Sequence, residues 1–230
     1  MSTGSGFEVE RAGMVARIAR SGRVGPRVLE ALQRVPRHEF VPPHLAAVAY
    51  EDRPLPVGEG QTVSQPLIVA LMTEALTLSA SDRVLEIGSG SGYAAAVLAE
   101  IAGEVYTTER LPRLARSAKE RLKRLGYAHV HVSCRDGTLG WPEHAPFDAI
   151  SVACGAPEIP AALREQLGCG GRLVIPVGRS PTMQTLVRAV RLPEGELRCE
   201  ELDDVCFVPL IGAQGWPETP EPGSGRRIEP

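Results

Sequence analysis

The chain has 230 residues, a net charge of −3 and a pI near 6.0, long enough for one sizeable core without disulfides or metals. With 43% hydrophobic, 23% charged and only 4% aromatic residues, it reads as a soluble globular protein, and it lacks both the basic surplus of a dedicated nucleic-acid binder and the aromatics of a base-stacking platform. No apolar run approaches a membrane span, the polar start Met1-Ser-Thr-Gly-Ser-Gly is no targeting signal, and five cysteines without a CxxC pair fit a reducing cytoplasm and no zinc framework.

Two helices are predicted first. Met14, Val15 and Ile18 share one face, then Val28, Leu29 and Leu32 another, with Gly22 and Gly25-Pro26 between them. A proline-punctuated connector, Val35 to Pro43, and a short helix to about Tyr50 follow. Residues 51–65 are rich in Pro, Gly and polar groups, and an apolar helix over 66–78 begins at Pro66, which sets Ser64 beside a helix N-terminus.

From residue 83 the period alternates. Strands are predicted at 83–87, 104–108, 130–134, 147–152 and 171–177, with helices at 93–101, 111–125 and 160–167. Alternating β and α units indicate a mostly parallel sheet covered by helices on both faces. Segments 185–191 and 197–208, joined by Pro193-Glu194-Gly195, read as a C-terminal antiparallel hairpin. The division is an N-terminal helical and substrate-loop segment, 1–82, forming one domain with an α/β core, 83–212. A tail, 213–230, has little to bury and reads as disordered.

The chemistry concentrates in Glu86-Ile87-Gly88-Ser89-Gly90-Ser91-Gly92-Tyr93. A strand enters a glycine turn and the turn opens a helix, the arrangement of a nucleotide-type cofactor site. The spacing is GxGxG rather than the dinucleotide GxGxxG, and Glu86 before the loop suits a cation better than a diphosphate. S-adenosylmethionine, with its sulfonium and ammonium groups, fits; a nicotinamide fits badly. Glu109, nineteen residues after Gly90, ends the next strand where a carboxylate can accept the ribose hydroxyls. Asp136, followed by Gly137, ends the third strand and can accept from the adenine amino group.

These residues carry a family resemblance. Over about residues 8–212 the chain resembles the protein-L-isoaspartate (D-aspartate) O-methyltransferases. The most specific stretches are Val35-Pro-Arg-His-Glu-Phe-Val-Pro42, Ala49-Tyr-Glu-Asp-Arg-Pro-Leu-Pro56, Gly60-Gln-Thr-Val-Ser-Gln-Pro66 and the glycine loop, followed by 140–148, 170–178 and Phe207-Val-Pro-Leu210. The resemblance implies a Rossmann-like S-adenosylmethionine-dependent methyltransferase fold. It implies methyl transfer to the free α-carboxylate of L-isoaspartyl residues of damaged proteins and peptides, with the side-chain carboxylate of D-aspartyl residues as an open second acceptor. The ester then collapses to a succinimide that reopens partly to aspartate. It implies Ser64 as the catalytic serine, Thr62, Val63 and Gln65 as its substrate-binding neighbours, and a monomer. A methyltransferase for one dedicated peptide and a cofactor-binding module without turnover stand as alternatives.

Elementary chemistry shapes the role of Ser64. A carboxylate with a pKa near ~4 is already ionised at neutral pH, so orientation and desolvation are needed rather than a strong base. The Ser64 hydroxyl and amides at the helix start are expected to hold one carboxylate oxygen. Departures from the family pattern are Arg135 before Asp136-Gly137, Cys154 after the fourth strand, and Gly168-Cys169 before the Gly-Gly-Arg turn. His129 and His131 alternate on a strand surface and no metal is expected. Nucleic acid and membrane are not expected partners.

Overall fold

The computed structural model describes residues 6–180 and 183–218. Helices α1 (Glu8–Ala19) and α2 (Pro26–Arg34) form where expected, and bury Met14, Ile18, Val28 and Leu32. Prolines 36, 42 and 43 deny the connector a run of amide donors, and it folds into two 3₁₀ turns, Arg37–Phe40 and Pro43–Val48. The stretch rich in Pro, Gly and polar groups, for which no strand is predicted, holds a hairpin, β1 (Leu55–Gly58) and β2 (Gln61–Val63). Its strands are too short to show alternation. Helix α3 (Pro66–Ala75) follows, with Gln65 as its N-cap and Pro66 in its first turn.

The core then runs β3 (Arg83–Ile87), α4 (Tyr93–Ala99), β4 (Glu104–Glu109), α5 (Pro112–Arg124), β5 (Val130–Cys134), β6 (Phe147–Val152), α6 (Ala161–Gln166), β7 (Leu167–Ser180), β8 (Met183–Arg191) and β9 (Leu197–Val205). The sheet order is β5-β4-β3-β6-β7-β8-β9. The first five strands are parallel, and β8 and β9 are antiparallel, so the expected hairpin closes that edge. Strand β7 begins four residues before its predicted start, at Leu167, which pairs with Phe147.

The chain winds outward from β3 to β5, then returns to β6 on the other side of β3. The crevice beyond the C-terminal ends of β3 and β6 is the switch point at which such sheets bind ligands. One apolar cluster joins α1, α2, α3 and α4 to the sheet, from Leu32, Phe40 and Leu76 to Val84, Leu98 and Val174. A second, with Ile87, Phe147, Ile150 and Leu173, fills the opposite face. The N-terminal helices thus share a core with the sheet instead of forming a separate unit.

The predicted tail differs at its start. Residues 213–218 pack back on the body. The Trp216 backbone amide donates to the Leu210 carbonyl at 2.7 Å, and its indole Nε1 donates to the Gly155 carbonyl at 3.0 Å. The Gln214 side chain accepts the Ala162 amide, and Glu218 pairs with Arg110. Composition misses this because the segment is held by hydrogen bonds and one indole rather than by an apolar stripe. The rest of that tail, 219–230, lies outside the described residues.

Candidate active site

The glycine turn is held by the neighbouring strand. The amides of Gly88 and Ser89 both donate to the Thr108 carbonyl, at 2.9 and 3.0 Å. Gly88 has φ +90, and a Cβ there would stand 2.9 Å from Cys154 Sγ on the adjoining strand end. Glycine is required at that point by both the backbone and the space. Gly92, also at positive φ, caps α4 and packs on Leu122.

A cleft of about 900 Å³, counting its open mouth, lies over this turn. Gly88, Ser89, Gly90, Glu109 and Gly137 line one part of it. Thr62, Val63 and Ser64 line another, so the 62–64 segment and the glycine turn face one space. The remaining wall includes Val208 to Ile211.

Glu109 is 6% exposed, and both of its oxygens accept backbone amides: Oε2 from Gly90 at 2.9 Å, Oε1 from Leu111 at 3.0 Å. Those bonds fix the carboxylate at the cavity wall and leave lone pairs for hydroxyl donors. Among the buried polar atoms, the Ser89 hydroxyl has no partner, as expected of a group that awaits a ligand.

Several expected residues stand elsewhere. Glu86 does not line the cleft; it is fully buried behind the turn, opposite Thr107 and Ser151 in the sheet. The Thr107 hydroxyl donates to its Oε2, while Oε1 has no partner. Burial pushes its carboxyl up to about 7, against the pull of the Thr107 hydrogen bond, and the charge of Glu109 adds to the rise. Any service to a cation is therefore through space. Gly92 acts on the helix, not on the cavity wall.

Asp136 is turned away from the cleft. Its Oδ1 accepts the Thr138 amide and hydroxyl at 2.9 and 2.7 Å, and its Oδ2 accepts the Ala213 amide at 2.8 Å. Here the carboxylate latches the C-terminal segment; only its neighbour Gly137 reaches the cavity. These bonds hold its carboxyl below the usual range, although burial opposes them as the largest single influence. Arg135 is drawn off too, paired with Glu143 at 2.9 Å and stacked over Trp141.

On the substrate side, Gln65 donates to Asp52 Oδ2 at 2.9 Å and does not line the cleft. Asp52 Oδ1 also accepts the Leu67 amide at 3.1 Å. With Pro66 carrying no amide hydrogen, the first helix-start donor expected to assist Ser64 is already taken. The Ser64 carbonyl accepts from Arg37 Nη2 at 2.8 Å.

The sequence profile of the protein-L-isoaspartate(D-aspartate) O-methyltransferases matches residues 10–215. The chain belongs to this family. Protein-L-isoaspartate O-methyltransferase 2 of Marinobacter nauticus is 56% identical over 210 residues, covering 91% of this chain and 96% of the relative. Protein-L-isoaspartate O-methyltransferase 1 of Geotalea uraniireducens is 61% identical, covering 83% and 87%. A solved protein-L-isoaspartate O-methyltransferase superposes with a TM-score of 0.80 at 30% identity, covering 89% of this chain and 67% of that one. A beta-aspartate methyltransferase of Plasmodium falciparum in complex with S-adenosyl-L-homocysteine superposes with a TM-score of 0.77 at 26% identity, covering 87% and 98%. The Rossmann-like methyltransferase fold expected from sequence is the fold observed.

In this methyltransferase the residues to which sequence reading gave no role are Arg37, Asp52 and the strap of residues 211–216. Arg37 and Asp52 stood inside the quoted signature stretches, but their partners lie 27 and 15 residues away at the most distant, beyond any local pattern. Cys154 lines the cleft with its thiol pushed up to about 12 by burial, so it is a neutral packing group. The His129 ring bonds the Ala99 carbonyl and His131 stacks on Tyr106. Among the described residues no group of His, Cys, Asp or Glu is arranged to hold a metal.

Proposed function

We propose that this chain performs the repair reaction of its family, methylating the free α-carboxylate of isoaspartyl residues in damaged proteins and peptides, with Ser64 as the carboxylate-holding group. The observation that carries the reading is that Ser64 and the glycine turn with Glu109 line one cleft. S-adenosylmethionine supplies an electrophilic methyl group on a sulfonium. The donor set fits it: glycine backbone close to the turn, the partnerless Ser89 hydroxyl, and a Glu109 carboxylate with acceptor capacity left for ribose hydroxyls.

Ser64 holds one carboxylate oxygen by its hydroxyl and leaves the other free to attack in line. Thr62 and Val63 bound the groove in which the peptide lies. Gln65 and Asp52 act one step back, as the hydrogen-bonded brace of the helix start. Glu109 holds the ribose; Gly88, Ser89, Gly90 and Gly137 shape the wall around the cofactor. No side chain has to remove a proton, because the nucleophile is already an anion at neutral pH. The enzyme contributes proximity and the removal of water.

No helix among the described residues is long and apolar enough to cross a membrane. The five cysteines are free thiols, which suits a reducing compartment, and the cytoplasm is proposed on that ground. A monomer is proposed from the family resemblance, and nucleic acid is left out as a partner because of the negative net charge.

The test is labelled methyl transfer from S-adenosylmethionine to a matched peptide pair, isoaspartyl against aspartyl. Labelling of the isoaspartyl peptide alone is expected. Equal labelling of both would overturn the repair reading, and labelling of neither, with cofactor bound, would leave a dedicated substrate or a pocket without turnover.

A further inference from the structure

Arg37 is the largest side chain fully removed from solvent, with 0% exposure. It sits in the 3₁₀ turn of the Val35-Pro-Arg-His-Glu-Phe stretch, outside the sheet. Its Nε donates to the Ala49 carbonyl at 2.8 Å and its Nη2 to the Ser64 carbonyl at 2.8 Å. Its guanidinium lies over the ring of Tyr93, Cζ 4.6 Å from the centroid. Tyr93 is the residue that opens α4 after the glycine turn, and it lines the same cleft as Ser64. One buried cation therefore touches both halves of the site.

Burying a guanidinium is costly unless a carboxylate or a full set of acceptors compensates it. Arg37 has two carbonyls and an aromatic face. No carboxylate forms an ion pair with it among the described residues, and its buried Nη1 has no hydrogen-bond partner. The Tyr93 hydroxyl alongside is also buried, and it is a neutral neighbour of the guanidinium rather than a counter-charge. The acid that attracts Arg37 from a distance, Asp52, is exposed and engaged with Gln65 and Leu67. An exposed charge is screened by water and salt, and a buried one is screened much less. Arg37 therefore places a buried cation without a counter-carboxylate against the Ser64 backbone.

We propose that Arg37 is a positioning and charge-selecting residue for the methyl acceptor: its buried cation fixes the Ser64 backbone and supplies the positive potential that makes this subsite choose an ionised α-carboxylate over a neutral group. The proposal rests on the Ser64 reading above. It adds the source of charge selectivity, which a serine hydroxyl alone does not provide, since a hydroxyl bonds a carboxylate and a carboxamide alike. Arginine also suits the place better than lysine, because its planar fork reaches the Ala49 and Ser64 carbonyls together.

The deciding measurement is binding, with turnover read beside it. With S-adenosylhomocysteine present, the affinities of two peptides are compared, one with the free isoaspartyl α-carboxylate and one with that group as the carboxamide. The wild type is expected to favour the carboxylate at least tenfold. Arg37→Gln keeps hydrogen-bonding capacity but removes the charge, and is expected to lose most of that preference while S-adenosylhomocysteine affinity changes less than threefold. Arg37→Lys keeps the charge with poorer reach; it is expected to retain the preference while kcat falls. A folded Arg37→Gln protein with an undiminished preference overturns the proposal. If Arg37→Gln does not fold, a folded Arg37→Lys protein that has lost the preference overturns it instead. A merely structural role would lower the melting temperature and weaken both peptides together. Ser64→Ala serves as the separate control: unchanged turnover there, with the Arg37 preference intact, removes the Ser64 reading and leaves the charge selection standing.

Discussion

The two walls of the cleft are built in different ways. The cofactor wall is a product of the sheet: Gly88, Ser89, Glu109 and Gly137 stand at strand ends, where the Gly88 and Ser89 amides bond the Thr108 carbonyl and the Gly90 amide bonds the Glu109 carboxylate. The acceptor wall belongs to no sheet of the core. It is a two-stranded hairpin and a helix start, packed on the core through Leu55, Val63 and Val69 and braced by side-chain hydrogen bonds of Arg37 and Asp52. A wall made largely of backbone tolerates most changes of side chain, Glu109 excepted, whereas a wall held by side chains depends on each of them. Substitutions should therefore separate the two, with cofactor affinity reporting one wall and acceptor turnover the other.

The largest expected separation is at Ser64. Ser64→Ala is expected to lower kcat/KM for an isoaspartyl peptide by about 100-fold or more, the size seen when one donor to a developing or reacting oxyanion is lost. Cofactor affinity, measured by calorimetry, should stay within about twofold, since a lone side-chain change beyond the backbone wall removes no cofactor contact. Equal losses in both would erase the division between the walls.

Behind the cofactor wall lies a buried acid whose effect is on stability. Glu86 ionises near 4.5 when unfolded and near 7 when folded. Between those values the unfolded chain binds fewer protons than the folded one, so folding stability falls as pH rises through that window and levels off above it. Glu86→Gln mimics the protonated form and abolishes the titration. The variant is expected to match the wild type near pH 4 and to exceed it at pH 8, by up to ~3 kcal/mol. Denaturant titrations at the two pH values check this, and parallel pH profiles would show that Glu86 is already ionised in the fold.

Glu109→Ala should act on cofactor affinity, with a loss of about 1.5–3 kcal/mol for hydrogen bonds to a charged group. At saturating cofactor, turnover should largely recover. If affinity is untouched, the ribose must be held by another group.

The smallest effect is expected at the strap. Trp216→Ala removes the bond to the Gly155 carbonyl and the packing of a half-buried indole. A melting temperature lower by a few degrees is expected, corresponding to about 1–2 kcal/mol. A modest loss of cofactor affinity should accompany it, because Leu210 and Ile211 form part of the wall. Stability loss with full affinity would show that the strap braces the fold and leaves the cleft alone.

Much of this protein was determined by the sequence alone. The period-2 and period-3.6 runs from residue 83 onward placed five parallel strands and their helices, because burial on a sheet repeats locally and leaves a local pattern. The glycine spacing and Glu109 placed the cofactor wall for the same reason: strand, turn and helix are neighbours in the chain. Tertiary structure alone decided the rest. It set Glu86 behind the turn rather than in the cleft, turned Asp136 to Ala213, and committed Gln65 to Asp52. It also brought Arg37 under Ser64 and folded 213–218 back onto the sheet. Each of these outcomes is a hydrogen bond between distant parts of the chain. Such bonds are made by single polar side chains and repeat with no period, so only the packed fold shows where they go.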